Sequence, residues 1–114
     1  MSILIAGGGI AGLTSALAAK KNGFTPIIYE KASRLDLPSF GGGIGLWPPS
    51  QAVMKNLGLL ESIREVSLPM PSAAYYNKHG RVLGKPTADF GSKFPVICLE
   101  RKELCEILLK ACQK

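Results

Sequence analysis

Histidine occurs once, at His79, and the three cysteines, Cys98, Cys105 and Cys112, contain no Cys-x-x-Cys pair. So few soft ligands argue against a zinc site, and an odd, widely spaced cysteine set argues against a disulfide framework. A reducing compartment fits this usage, and the cytoplasm is the location expected. Long apolar runs are missing too. The stretch from Ser2 to Ala6 is far too short for a signal-peptide core, and no basic leader precedes it. Nothing approaches the roughly 20 apolar residues of a membrane span, so no transmembrane segment is expected. Repeats and low-complexity tracts are absent. Lys and Arg exceed Asp and Glu by 14 to 8, a net charge of +6, but the bases are scattered from Lys20 and Lys21 through Lys55, Lys78 and Lys85 to Lys93 and Lys110. Without a basic run interleaved with aromatics, they read as solvated surface, and no nucleic-acid partner is expected.

What is present is globular. A chain of 114 residues, 46% of them hydrophobic, can bury one core but is short for an enzyme with two substrate sites. Ile3, Leu4 and Ile5 form a brief apolar run closed at once by glycines, as in a buried parallel strand. From Ile10 to Asn22 the pattern is helical, with Ile10, Leu13, Leu17 and Lys21 along one edge and Asn22-Gly23 as the stop. Thr25 to Tyr29 reads as a second strand, with Pro26 tolerable near its start. Together these make a βαβ unit with parallel strands. A polar loop from Ala32 to Gly43 follows, then an extended segment from Ile44 to Trp47 stopped by Pro48-Pro49. Ser50 is placed to cap a helix carrying Ala52, Val53 and Leu57, interrupted at Gly58 before Leu59, Leu60 and Ile63. "AAYYNKHGRVL", Ala73 to Leu83, reads as a hairpin turning at Lys78-His79-Gly80. Val96 to Leu99 is a strand, and Glu100 to Gln113 an amphipathic helix with Leu104, Ile107, Leu108 and Ala111 inward. Cys105 and Cys112 share one face of that helix, where they act as small hydrophobes.

The glycines of Gly7-x-Gly9-x-x-Gly12 ask for a reason. Gly7 lets the chain turn sharply out of the strand, Gly9 leaves room for a pyrophosphate, and Gly12 lets the helix lie close to the strand. The helix tip then points unpaired N–H groups and the positive end of its dipole at that space. Glu30, 18 residues after Gly12 at the end of the second strand, suits a carboxylate bonded to an adenosine ribose. A dinucleotide is the ligand this predicts. Spacing alone does not choose between NAD and FAD, since both adenosine halves make the same demand.

The wider sequence resembles the flavin-dependent aromatic-ring monooxygenases, the class of p-hydroxybenzoate, salicylate and kynurenine hydroxylases and zeaxanthin epoxidase. Three blocks in the family order carry the resemblance: "IAGGGIAGLTSALAAKKNGFTPIIYEKA", "FGGGIGLWPPSQAVMKNLGLLESI" and "ICLERKELCEILLKA". "GLWPP" is particularly similar to bacterial FAD-dependent urate hydroxylases. The resemblance implies an α/β fold: a Rossmann-like FAD-binding βαβ core with a parallel sheet plus a small β-hairpin, incomplete relative to the family. Residues 1–114 would be the N-terminal part of an FAD-binding domain. Its parts would be the fingerprint at 3–31, cofactor loop and helix at 40–66, hairpin at 73–84, and strand and helix at 96–113. It further implies FAD as cofactor and NAD(P)H as co-substrate. Gly7, Gly9, Ala11 and Gly12 would line the pyrophosphate, with Glu30 on the ribose and Lys31 beside it. Gly43 and Gly45 would let the chain lie along the cofactor, and Arg101 would face its phosphates or ribityl chain with a guanidinium fork.

The implied reaction uses NAD(P)H and O₂ to hydroxylate or epoxidise a small organic, typically aromatic, substrate, the flavin carrying the chemistry. The family's later Gly-Asp and Asp-Gly segments are not in this sequence, and "WPPS" replaces the usual aliphatic-Pro-Asn. His79, Cys98 and Glu103 have no visible acid–base or nucleophile partners, so the 114-residue chain alone is expected to bind without turnover. A non-catalytic nucleotide-binding module, another flavoprotein and an NAD-dependent oxidoreductase stay open as alternatives.

Overall fold

The computed structural model describes residues 1–32, 42–70, 74–85 and 95–114. Most of the expected loop before Gly43, and Ala73 of the expected hairpin, lie outside them. The chain begins with β1 (Ser2–Ala6), α1 (Ile10–Lys21) and β2 (Thr25–Tyr29). The two strands pair in parallel, Ser2 with Thr25 through to Ala6 with Tyr29, as the βαβ reading requires. Alternation sets the faces of the pair: Ile3, Ile5 and Ile28 are partly buried, while Leu4, Ile27 and Tyr29 are exposed on the other side. At the end of α1, Asn22 is the C-cap and Gly23 takes φ +81°, the left-handed conformation that ends many helices.

The second part of the chain builds an antiparallel sheet whose pairing the sequence reading left undefined. β3 (Gly43–Leu46), β4 (Leu68–Pro69) and β7 (Ile97–Glu100) lie in the order β3-β7-β4. Gly43 pairs with Glu100 and Leu46 with Ile97, while Leu68 pairs with Cys98. Between them run α2 (Pro48–Asn56) and α3 (Leu60–Glu65), parted by Gly58 at φ +75°. Ser50 does not cap α2. The helix starts two residues earlier, with Trp47 as N-cap and Pro48-Pro49 in its first turn. Proline suits that place because its φ is already helical and its missing N–H would have no partner there.

The small hairpin β5 (Tyr75–Tyr76) and β6 (Val82–Gly84) pairs antiparallel and turns where expected. Asn77 Oδ1 accepts the N–H groups of His79 and Arg81, both at 2.9 Å, and Gly80 takes φ +78°. Its Tyr75, Tyr76 and Leu83 side chains are exposed, so cross-strand packing does not bury Tyr75.

α4 (Arg101–Cys112) joins the two parts. Its fully buried Leu104 and Leu108 belong to one cluster with Leu13 of α1, Leu46 of β3, Met54 of α2, Ile63 of α3 and Leu99 of β7. Burying such a side chain completely contributes about 1.5–3 kcal/mol, so this shared cluster is the main force uniting the layers. Cys105 is buried, and Cys112 donates its thiol to Leu13 O at 3.6 Å, as small hydrophobes on the inner face. Burial pushes both thiols above their usual pKa. Lys21 Nζ at the end of α1 bonds the carbonyl and side-chain oxygens of Asn56, the last residue of α2.

One buried polar residue stands among these aliphatics. Gln51 is 1% exposed, and its Nε2 donates to Leu46 O at 2.9 Å and Pro95 O at 2.7 Å. Two carbonyl partners identify that atom as the nitrogen. Its Oε1 is buried and has no partner among the described residues; a buried acceptor left unpaired costs roughly 1–3 kcal/mol.

Candidate dinucleotide-binding site

The loop between β1 and α1 gives each of its three spaced glycines a separate physical reason. Gly7 has φ +101°, where a side chain would be strained, and its N–H donates to Tyr29 O at 2.7 Å. Gly12 is required by packing, because a Cβ there would lie 1.9 Å from Gly7 O. Gly9 has neither constraint. Its backbone is extended at φ −76°, ψ −172°, and an added Cβ would meet nothing within 4 Å among the described residues. The protein itself leaves room for a side chain at Gly9, and a group approaching from outside is what would fill that room.

The direction of approach is set by α1. Gly9 is its N-cap and offers no side-chain cap bond, and the first turn holds no acidic residue. The first helical bond runs from Leu13 N–H to Gly9 O at 2.9 Å. The N–H groups of Ile10, Ala11 and Gly12 therefore have no intrahelical acceptor and face outward with the positive dipole end. An anion is the chemical complement of that surface.

Glu30 sits at the end of β2 and reaches across to the same loop. Its Oε2 accepts Gly8 N–H at 2.6 Å, and its Oε1 accepts Ala32 N–H at 3.0 Å. The N–H groups of Ala32 and Gly8 lower the pKa of its carboxyl, with Lys31 adding a smaller effect. Two donors fix the carboxylate beside the glycine bend. Lys31 is exposed next to it.

The remaining expected site residues form a second group. Gly43 and Gly45 lie on β3, and Arg101 opens α4, its N–H donating to Gly42 O at 3.0 Å. The Arg101 side chain is exposed. Neither glycine is demanded sterically: a Cβ on Gly43 would be 3.9 Å from Leu99 O, and one on Gly45 no nearer than 3.7 Å to Val96. A cleft of about 490 Å³ lies between α1 and the β3–α2 segment, with Ala11 and Thr14 of α1 on one wall and Gly45 and Ser50 on the other; Glu30 and Arg101 are not among its lining residues. Thr14 Oγ1 is buried there and has no hydrogen-bond partner among the described residues. Sequence reasoning passed over Gly8, Thr14 and Gln51. Only Gly8 carried a signal, as the middle of three consecutive glycines.

A family described as an FAD binding domain matches residues 2–65, which contain the glycine bend, Glu30 and β3. The chain belongs to this FAD-binding family. The coenzyme of this domain is therefore FAD, and the open space at Gly9, the unpaired helix-tip N–H groups and the fixed Glu30 carboxylate fit its adenosine and pyrophosphate half. The FAD-dependent monooxygenase adrH of Penicillium rubens is 31% identical over 95% of this chain. The solved tetrameric 2-methyl-3-hydroxypyridine-5-carboxylic acid oxygenase is 32% identical, superposes with a TM-score of 0.82 and covers 98% of this chain. Klebsiella pneumoniae HpxO, solved with FAD and uric acid, shares the fold over 96% of this chain at 24% identity and a TM-score of 0.75. The chain spans 24% of adrH, 29% of the pyridine-carboxylate oxygenase and 28% of HpxO. Among the described residues, no helix is long and apolar enough to cross a membrane, and no group of His, Cys, Asp and Glu is arranged for a metal.

Proposed function

We propose that this chain forms the FAD-binding portion of a flavin-dependent, NAD(P)H-using monooxygenase that hydroxylates or epoxidises a small aromatic substrate. One observation carries the binding half of this reading: Gly9, free of any steric or conformational need for glycine, leaves open space at the tip of α1. The monooxygenase half is supported by relatives such as adrH, and the aromatic substrate by the pyridine-ring substrate named for the 32% identical oxygenase. Bound flavin would carry electrons from NAD(P)H to O₂ and deliver one oxygen atom to the substrate.

The chain's own residues bind and orient. The N–H groups after Gly9 hold the pyrophosphate, and Ala11 is small enough to leave them accessible. Glu30 holds the ribose through the carboxylate fixed by Gly8 and Ala32, with Lys31 beside it. Gly43 and Gly45 let β3 approach the flavin-side half, and Arg101 supplies a two-pronged donor from the head of α4. The residues described contain no acid–base pair that would move a proton on a substrate, so the 114-residue chain binds without turnover.

The test is a titration of the purified chain with FAD, followed by protein and flavin fluorescence, alongside NADPH oxidation with FAD and aromatic acids added. Saturable FAD binding with NADPH consumption at background is the expected result. Absence of FAD binding sinks the coenzyme reading, and sustained turnover sinks the assignment of this chain as a binding portion alone.

A further inference from the structure

We propose that Gln51 is a positioning residue for the flavin-side half of the coenzyme, acting through β3; the inference rests on the FAD-binding reading above. The β3–β7 ladder has only four residue pairs, from Gly43 with Glu100 to Leu46 with Ile97. Extending that register by two residues would set Pro48 opposite Pro95. Neither proline has an N–H, so the ladder cannot continue and Pro95 O loses its natural donor. Gln51 replaces the missing rung. Its Nε2 spans from Leu46 O at 2.9 Å to Pro95 O at 2.7 Å, tying the end of β3 to the residues entering β7.

At the opposite end of the ladder, Arg101 N–H donates to Gly42 O at 3.0 Å. Gly43 and Gly45 are thus held between two pins, one at the head of α4 and one from the interior of α2. Two glycines in a four-residue strand give little side-chain packing to set its register, and a slip of one residue would exchange the faces of the strand. The pins take over that task. Gln51 keeps its two donor bonds although its Oε1 is buried and has no partner among the described residues. The bonds act on β3 and not on the β1–α1 bend, so their effect on the coenzyme falls on its flavin side.

Gln51→Met keeps length and burial while removing both donors. Amide exchange on the 114-residue chain reads the positioning directly, without coenzyme. Exchange across Gly43–Leu46 is expected to speed at least tenfold, with β1 unchanged. Titrations with FAD and ADP read the consequence: FAD affinity falls at least fivefold, while ADP affinity, which depends on the β1–α1 bend, stays within twofold of the parent. Pro48→Ala in the Gln51→Met background offers Pro95 O a backbone N–H and is expected to recover part of the lost FAD affinity. Unchanged exchange in β3 overturns the proposal, and so do equal losses for ADP and FAD, which would make Gln51 a general support. A parent chain that binds neither nucleotide overturns the FAD reading instead, and the exchange measurement then decides the role of Gln51 by itself.

Discussion

The glycine bend of β1–α1 and the glycine strand β3 are built on opposite principles. In the bend, Gly7 and Gly12 are demanded by the chain itself, one by a φ of +101° and the other by a carbonyl that a Cβ would approach to 1.9 Å. In β3, a Cβ on Gly43 or Gly45 would meet only ordinary contacts among the described residues. The bend is stabilised from within its own βαβ unit, by Tyr29 O and the Glu30 carboxylate. The strand depends on β7 from the far end of the chain and on the side-chain amide of Gln51. Glycines of the bend should therefore be structural with one exception, Gly9, and glycines of the strand should matter to ligand alone.

Gly12→Ala is the severest test of that contrast. The added methyl cannot fit beside Gly7 O without moving backbone, and overpacking of this kind costs about 3 kcal/mol. A fall of roughly 12 °C in melting temperature is expected in a thermal scan. Gly7→Ala comes next, since forcing a side chain into left-handed space costs about 1–2 kcal/mol. Gly9→Ala sharpens the comparison: stability should hold within about 0.5 kcal/mol in urea unfolding, while FAD affinity drops about tenfold. If Gly9→Ala unfolds the chain or leaves affinity intact, the reserved space is not for a ligand.

Smaller effects distinguish the polar groups. Glu30 has its carboxyl pKa lowered in the folded chain by Ala32 and Gly8 N–H groups. A depressed folded-state value contributes stability above the unfolded carboxylate pKa, and that contribution is lost as pH falls from there through the folded value. Urea midpoints of the parent chain should decline across this acid range, and Glu30→Gln should flatten that part of the curve. An unchanged pH profile would mean the two bonds contribute nothing. Least of all, the raised thiols of Cys105 and Cys112 should alkylate more slowly in the folded chain at pH 8 than after denaturation, by mass spectrometry of timed aliquots.

Much of the geometry of the candidate site was legible in the sequence, because its determinants are local. The turn after β1, the helix tip, and a carboxylate at the end of the next strand are all defined by residues within one βαβ unit. Ser50 shows where local reasoning slips: a good capping residue was overruled by two prolines that occupy the first turn themselves and leave Trp47 as the cap. Val53 and Ala52 likewise lie on the exposed side of α2, while Gln51 and Met54 are buried. Helical periodicity over nine residues says which positions share a face, but not which face meets the core.

By itself the sequence determined the parallel pair, the glycine bend, the acidic residue beside it and the amphipathic final helix. Each follows from dihedral limits or side-chain periodicity that act over a few residues. Only the tertiary structure decided that β3 pairs with β7, that α4 joins the two parts, and that Gln51 serves a carbonyl left without a donor by Pro48. A strand of four residues with two glycines carries too little pattern to name its partner. That choice depends on which distant backbone groups remain unpaired once the core has closed.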